Sequence, residues 1–373
     1  MKTYKWFFLV LVSGVLVTCT GTSEEELIGD WQRRAVFNDV PRSHAATFVI
    51  GDKGYVCCGW SGRRERRNDV FVFDHTLGDG QGSWGQKLGD FPGMRRSHAV
   101  GFSVGRFGYI GTGYDGDETD MNDFWRYDPD RDEWTEVAPL PSYSRRGAIA
   151  FSLFVGDTEY GFVGFGLHDG PLDRLWLADL WQFDPNGTTI DEDGNTFDGS
   201  WKAITGYGGA KREGATVFVI DNKAYISSGK HQNGHVNEFW IFDPNSAKNW
   251  ITNPPRPMWD SNPDEDYDDD YIRLPRAYGV SYVVSVNGQL RGHIVGGDTN
   301  SALNWEYDHE NDLWIQRTQF INHQWPNSRE GMVSFSFPSS GRAFVGMGQS
   351  GNSYHDDIWE FIPLIDDYTY NDR

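Results

Sequence analysis

The sequence predicts an all-β fold: a six-bladed β-propeller, four antiparallel strands per blade, its ring closed by the N-terminal strand. Three observations carry that expectation. One aromatic phrase is spelled six times, as "NDVFVFD", "NDFWRYDP", "ADLWQFDP", "NEFWIFDP", "LNWEYD" and "DDIWEF". An apolar run opening on arginine and small residues precedes each copy, at Arg42, Arg96, Arg146, Arg212, Arg276 and Arg329. A tryptophan follows five copies, at Trp84, Trp134, Trp201, Trp250 and Trp314; none follows the sixth, yet Trp31 stands near the N-terminus with no phrase before it.

Each repeat divides into four strands. The first is the run after arginine, as in "RSHAATFVI" and "REGATVFVI". The second ends on glycine: "GYVCCG", "GYIGTG", "GFVGFG", "AYISSG", "GHIVGG", "AFVGMG". The aromatic phrase is the third, and its Asp-Pro favours the turn into the fourth, which starts at tryptophan. Every segment has strand length and β-branched or aromatic content, bounded by Gly, Asp, Asn or Pro. Six such units without helical periodicity make a propeller. Trp31 lies 11 residues before Arg42, against 12, 12 and 11 for Trp84, Trp134 and Trp201 before their arginines. The N-terminal segment therefore fits as the outer strand of blade six, which leaves no open sheet edge.

The propeller is expected over 27–363, with a C-terminal tail at 364–373. Residues 1–18 read as a signal peptide of lipoprotein type: Lys2 and Lys5 precede the apolar run "WFFLVLVSGVLV", too short to span a bilayer. "LVTC" resembles a bacterial lipobox, with Cys19 the lipidated first residue of the mature chain. Ordinary secretion is the alternative. Residues 19–26 form an acidic tether, similar to export signals of some surface lipoproteins, or a plain solvated linker. An exported outer-membrane lipoprotein follows, facing the surface or the periplasm. Of the remaining cysteines, Cys57 and Cys58 are adjacent, and a strand sends neighbours to opposite faces, so two unpaired buried thiols are expected.

Composition narrows the function. Hydrophobic content of 38% excludes global disorder. The 33 basic against 54 acidic residues give a net charge of −21, so nucleic acid is not an expected partner, and the membrane is reached only through the lipid. Strand order places the start of strand one and the end of strand two together at the central mouth. Expected there are the ligand-binding candidates Arg42, Arg96, Arg146, Arg212, Arg276 and Arg329, with Trp60, Tyr114, His168 and His231. Lys230, Asp298 and Gln349 join them. Guanidinium pairs with carboxylate, phosphate or sulfate in forks; a purely structural role for any one arginine is the alternative. His44 and His98 follow two residues on and face as Arg42 and Arg96 do if the strand alternates. Asp191, Asp193, Asn195 and Asp198 have calcium-loop-like spacing without the closing glutamate, making a weak metal candidate. "DSNPDEDYDDDY" from Asp260 reads as a solvated loop on the mouth face, or else a lid, a cation site or a specificity element.

The paired-Gly strand, the Tyr/Phe and the spaced Trp resemble the Kelch and galactose-oxidase-like propellers, over Leu27 to Pro363. Strict Gly-Gly survives only at Gly296-Gly297. Copper-radical galactose oxidases need a Tyr-Cys crosslink and histidine and tyrosine ligands; with only Cys57 and Cys58 and no histidine pair at ligand spacing, that chemistry is not expected. The chain also resembles bacterial Kelch-type sialic acid mutarotases and epimerases, such as N-acetylneuraminate epimerase, which implies arginine and acidic residues acting without a cofactor. Glu213 and Glu330, in "REG" at Arg212 and Arg329, are the weak catalytic candidates, although alternation turns Glu213 away if Arg212 points inward. The leading expectation is a lipoprotein that binds a glycan or a protein partner at the mouth. A sugar mutarotase and an outer-membrane scaffold are the alternatives.

Overall fold

The computed structural model describes residues 28–62, 65–117, 119–252, 256–258, 269–320 and 329–364. The expected signal peptide, Cys19 anchor and tether lie outside the described residues, as do most of the tail and most of the acidic stretch after Asp260. Among the described residues no helix is long and apolar enough to cross a membrane.

Six antiparallel sheets form the blades. Blade one pairs Ala46–Ile50, Lys53–Cys57, Val70–Asp74 and Ser83–Trp84 in order. Blades two, three and five repeat that order from Val100–Val104, Ile149–Val155 and Gly279–Val286. Blade four, from Thr216–Ile220, has three strands, and its fourth is reduced to a bridge between Phe242 and Trp250. Pro254 and Pro255 follow in the sequence and bring no N–H to a ladder. Blade six joins Val333–Phe337, Arg342–Gly346 and Asp357–Ile362 to the N-terminal strand Asp30–Val36. Trp31 lies opposite Phe361, packs against it, Phe320 and Tyr282, and donates Nε1 to the Thr318 carbonyl at 3.0 Å. The ring closes as the spacing of Trp31 requires.

The small residue that opens each second strand has a packing cause. A Cβ on Gly108 would lie 2.1 Å from the Phe48 ring of the preceding blade; Gly161 meets Phe102 and Gly292 meets Phe218 in the same way. Each blade thus seats an aromatic ring of its neighbour, a phenylalanine at five seams and Tyr282 against Ala343 at the sixth, and the aromatics form the core between blades.

Two belts of backbone hydrogen bonds run around the axis. In the inner one His44 N–H donates to Gly331, His98 to His44, Gly147 to His98, Gly214 to Gly147, Tyr278 to Gly214 and Gly331 to Tyr278. It returns to its start after six residues, one per blade. All six have left-handed φ, between 51° and 62°. In the outer belt Gly59, Gly113, Gly166, Gly229, Gly297 and Gly348 each donate to an arginine carbonyl of the next blade, Arg96, Arg145, Arg212, Arg276, Arg329 and Arg42.

Candidate functional site

The repeated spacing of the arginines serves the blades rather than the mouth. Arg42, Arg96, Arg145, Arg212 and Arg276 are fully buried and Arg329 is nearly so. Five pair with the acid that opens the third strand of their own blade: Arg42 on Asp69, Arg96 on Asp123 at 2.6 Å, Arg145 on Asp179 at 2.6 Å and Arg329 on Asp357 in forks, and Arg212 on Glu238 through Nη2 alone. Each also donates to a carbonyl at the end of strand two, as Arg96 does to Thr112 at 2.9 Å. The expected ligand-facing ring of Arg42, Arg96, Arg212, Arg276 and Arg329 is therefore corrected. Those carbonyls belong to Cys58, Thr112, Phe165, Ser228, Gly296 and Met347, all left-handed, and an arginine pins each turn. In blade three the pinning residue is Arg145, so the register that selects Arg146 is one residue late. Arg276 is the exception among the six. Leu303 stands where its acid should be, carbonyls alone receive its donors, and burial pulls its guanidinium down to about 9.

The residues that reach the mouth come after the arginine. The third residue of each unit is left-handed, which breaks strand alternation before the first strand begins. Gly147, Gly214 and Gly331 adopt that backbone freely; His44, His98 and Tyr278 do so at a strain on the order of 1–3 kcal/mol. Their rings meet at the axis and form its floor. His44 stacks on His98 with centroids 3.7 Å apart, and Tyr278 stands edge-on to both at 5.2 and 5.4 Å. The Tyr278 hydroxyl donates to the Glu213 carboxylate, which Trp176 Nε1 approaches at 3.3 Å. Glu213 consequently faces the mouth while Arg212 turns into its blade, the reverse of what alternation gives. Glu330 accepts the Gln349 amide at 3.1 Å.

A ladder of rings and guanidiniums climbs the rim over blades one to three. Arg66 lies over Trp60 at 4.8 Å and over Tyr114 at 5.5 Å; Arg146 covers Tyr114 at 4.4 Å. Trp60 meets Tyr354 of blade six edge-on. Arg146 is matched by Asp120 at 3.1 Å and Asp169 at 2.6 Å. Arg66 is different. It is 8% exposed, its Nε donates to Ser97 Oγ at 2.7 Å, and among the described residues no carboxylate comes within the 4.0 Å of an ion pair, Asp115 and Asp117 acting on it only from farther off. Burial holds its guanidinium below the usual range. The neighbouring Trp60 Nε1 is buried with no acceptor. Elsewhere on the rim, His168 bonds the Ser144 carbonyl at 2.7 Å, His231 packs on Trp176, and Lys230 lies over Tyr278 while Asp298 stands 3.5 Å from its amine. The structure thus gathers Trp60, Tyr114, Arg146, Glu213, His44 and His98 at the mouth. Sequence reading missed Arg66, Arg145 and Tyr278; the basic run "RRERR" after Gly62 was the available signal for the first.

The Kelch motif matches residues 113–141, the end of strand two through strand four of blade two. The fold is a Kelch-type propeller. A search of the curated proteins finds no match. A solved structure titled "Structure of YjhT" is similar with a TM-score of 0.62 at 16% identity, covering 86% of this chain and 95% of that one. With 328 solved chains matching, the Kelch propeller by itself selects no function, and the side chains of the mouth must.

Two expectations on this Kelch propeller are settled by local geometry. The Asp191 carboxylate accepts the N–H of Asp193 and Asn195 and the Asn195 amide, while Asp198 is 3.3 Å from Arg126. The calcium candidates Asp191, Asp193, Asn195 and Asp198 are corrected accordingly; among the described residues no three His, Cys, Asp or Glu side chains are placed to hold a metal ion. Cys57 and Cys58 are both buried free thiols, and burial pushes the Cys57 thiol up.

The histidine floor is expected to make the Kelch propeller acid-sensitive. Burial, then Arg66 and Lys230, lowers His44 to about 3; burial, His44, Arg66, Arg146 and Lys230 lower His98. The unfolded chain protonates both near the ordinary 6.5, so it binds more protons than the folded chain in the window below that value. Stability present above pH 6.5 is lost as pH falls toward the folded value of His44. Asp120 opposes this, because burial raises its carboxyl from 3.8 to about 6 and its protonation favours the fold in that range. His44→Asn, which tolerates left-handed φ, is expected to flatten the fall in melting temperature between about pH 6.5 and about pH 4.5. Scanning fluorimetry reads it, and an unchanged slope would place the acid sensitivity elsewhere.

Proposed function

We propose that the mouth binds a glycan carrying a carboxylate, on a chain exported and anchored by a lipid at Cys19. The observation that carries this reading is Arg66: a buried guanidinium over the rings of Trp60 and Tyr114, without a carboxylate in ion-pair reach among the described residues, beside an indole N–H that lacks an acceptor. A buried unpaired charge is costly, and a forked carboxylate is the natural acceptor for it. The rim aromatics offer faces on which a sugar ring stacks. An acidic side chain of a protein partner would use the same fork. Titration calorimetry with glucuronic acid and glucose tests it. Glucuronic acid is expected to bind, with affinity that falls as salt rises, and glucose to give no signal. Equal responses to the two sugars would reject the carboxylate reading.

The Tyr278–Glu213 hydrogen bond favours one second reading, a cofactor-independent sugar mutarotase or epimerase. Opening and closing a sugar ring needs a positioned acid and base, and a phenol donating to a carboxylate beside neutral imidazoles supplies both types. Anomer exchange of N-acetylneuraminic acid followed by proton NMR separates the readings, since a binder leaves the rate alone.

A further inference from the structure

The mouth holds a second unmatched charge, opposite in sign and in position to Arg66. Arg66 bridges blades one and two through Ser97 and Tyr114. Glu213 opens blade four and is bound at the seam with blade five by Tyr278. In a ring of six, those two seams face each other across the axis. Between them lies the floor of His44, His98 and Tyr278, whose mutual ring contacts show how narrow the crossing is.

Glu213 is 4% exposed, and its hydrogen bonds come from neutral donors, the Tyr278 hydroxyl and the Trp176 indole. Among the described residues no Lys, Arg or His nitrogen is within 4.0 Å of it, the reach of an ion pair. The nearby cations are matched, Lys230 with Asp298 at 3.5 Å, His235 with Asp298 at 2.9 Å and Arg146 with Asp120 and Asp169, while the Glu330 carboxylate is held by the Gln349 amide. A buried carboxylate without a cation and a buried guanidinium without an anion each carry a desolvation cost. One ligand with a charge at each end relieves both.

Building on the reading of Arg66 as the carboxylate anchor, we propose that the ligand is a zwitterion, an amino sugar acid. Its carboxylate lies on Arg66 and Trp60 Nε1, its ammonium on Glu213, and its ring over the stacked histidines and Tyr278. A neutral amide in place of the ammonium leaves Glu213 uncompensated, so the site discriminates against acetylation.

Calorimetry with muramic acid and N-acetylmuramic acid, which differ in that one group, tests the proposal on the purified protein. Muramic acid is expected to bind at least about tenfold more tightly, a difference of about 1.4 kcal/mol. Glu213→Gln is expected to bring the two affinities within about twofold of each other. A second measurement needs no variant: near pH 9.5, above the usual amine range of about 8, the preference should vanish in the wild-type protein. Equal affinities at neutral pH, or a preference that survives both Glu213→Gln and high pH, would overturn the zwitterion while leaving the carboxylate anchor standing. Failure of both sugar acids to bind would remove the anchor itself, and the zwitterion with it.

Discussion

Arg66→Gln is expected to weaken glucuronic acid binding by roughly 30- to 100-fold while the melting temperature holds or rises. The two halves have one cause. Arg66 presents its free guanidinium nitrogens between Trp60 and Tyr114, and charge-assisted hydrogen bonds to a carboxylate are worth about 2–3 kcal/mol, which at about 1.4 kcal/mol per decade gives the loss. In the free protein the same guanidinium is buried without a carboxylate, so its removal relieves a desolvation cost. Glutamine keeps a donor for Ser97 Oγ. Calorimetry and thermal melting on the same preparation check both halves; a variant that binds undiminished, or that melts well below the parent, would make Arg66 a structural residue.

Arg212→Ala behaves in the opposite way. It is expected to lower stability by about 3–5 kcal/mol, because it leaves a carboxylate without its cation. Arg212 is fully buried and donates Nη2 to Glu238, whose carboxylate also takes the Tyr207 hydroxyl, the Ala210 N–H and the Trp240 indole. Its Nη1 holds the left-handed turn at Ser228 at 2.9 Å. Arg276→Met is the internal control: Leu303 replaces the acid in that blade, no carboxylate is orphaned, and the loss is expected to be smaller. Urea denaturation of the two variants reads the difference, and equal losses would show that the carbonyl contacts rather than the ion pairs hold these turns.

The blade count was legible because each blade imposes the same packing demand. Gly108, Gly161 and Gly292 must be small where a neighbour's phenylalanine lies on them, and that constraint repeats in print. Closure was legible because Trp31 lacks a phrase of its own and the sixth phrase lacks a tryptophan. The mouth was read less well, for a backbone reason. Alternation assigns faces only within a strand, and the first strands begin at Ala46, Val100, Ile149, Thr216, Gly279 and Val333, several residues past the arginines. The left-handed residue between them rotates the chain, so the arginine goes into the blade and the next residues go to the axis. "RRGA" in blade three offers two arginines to that one slot, and only the pairing with Asp179 shows that Arg145 fills it. Arg66 was hidden in a run of basic residues, one of which turns inward between aromatic rings from separate blades, and periodicity carries no information about such a contact.

If Cys19 carries a lipid, as proposed, the strand that completes blade six also bears on how the molecule hangs. Asp30 lies opposite Ile362 and Val36 opposite Asp357, the residue gripped by Arg329 at the mouth edge, so the chain enters the ring on the far side and climbs toward the rim. The nine residues from Cys19 to Leu27 reach at most about 30 Å. A fatty acyl group on that cysteine would tether the disc by its underside, with the bowl opening away from the lipid and toward arriving solutes.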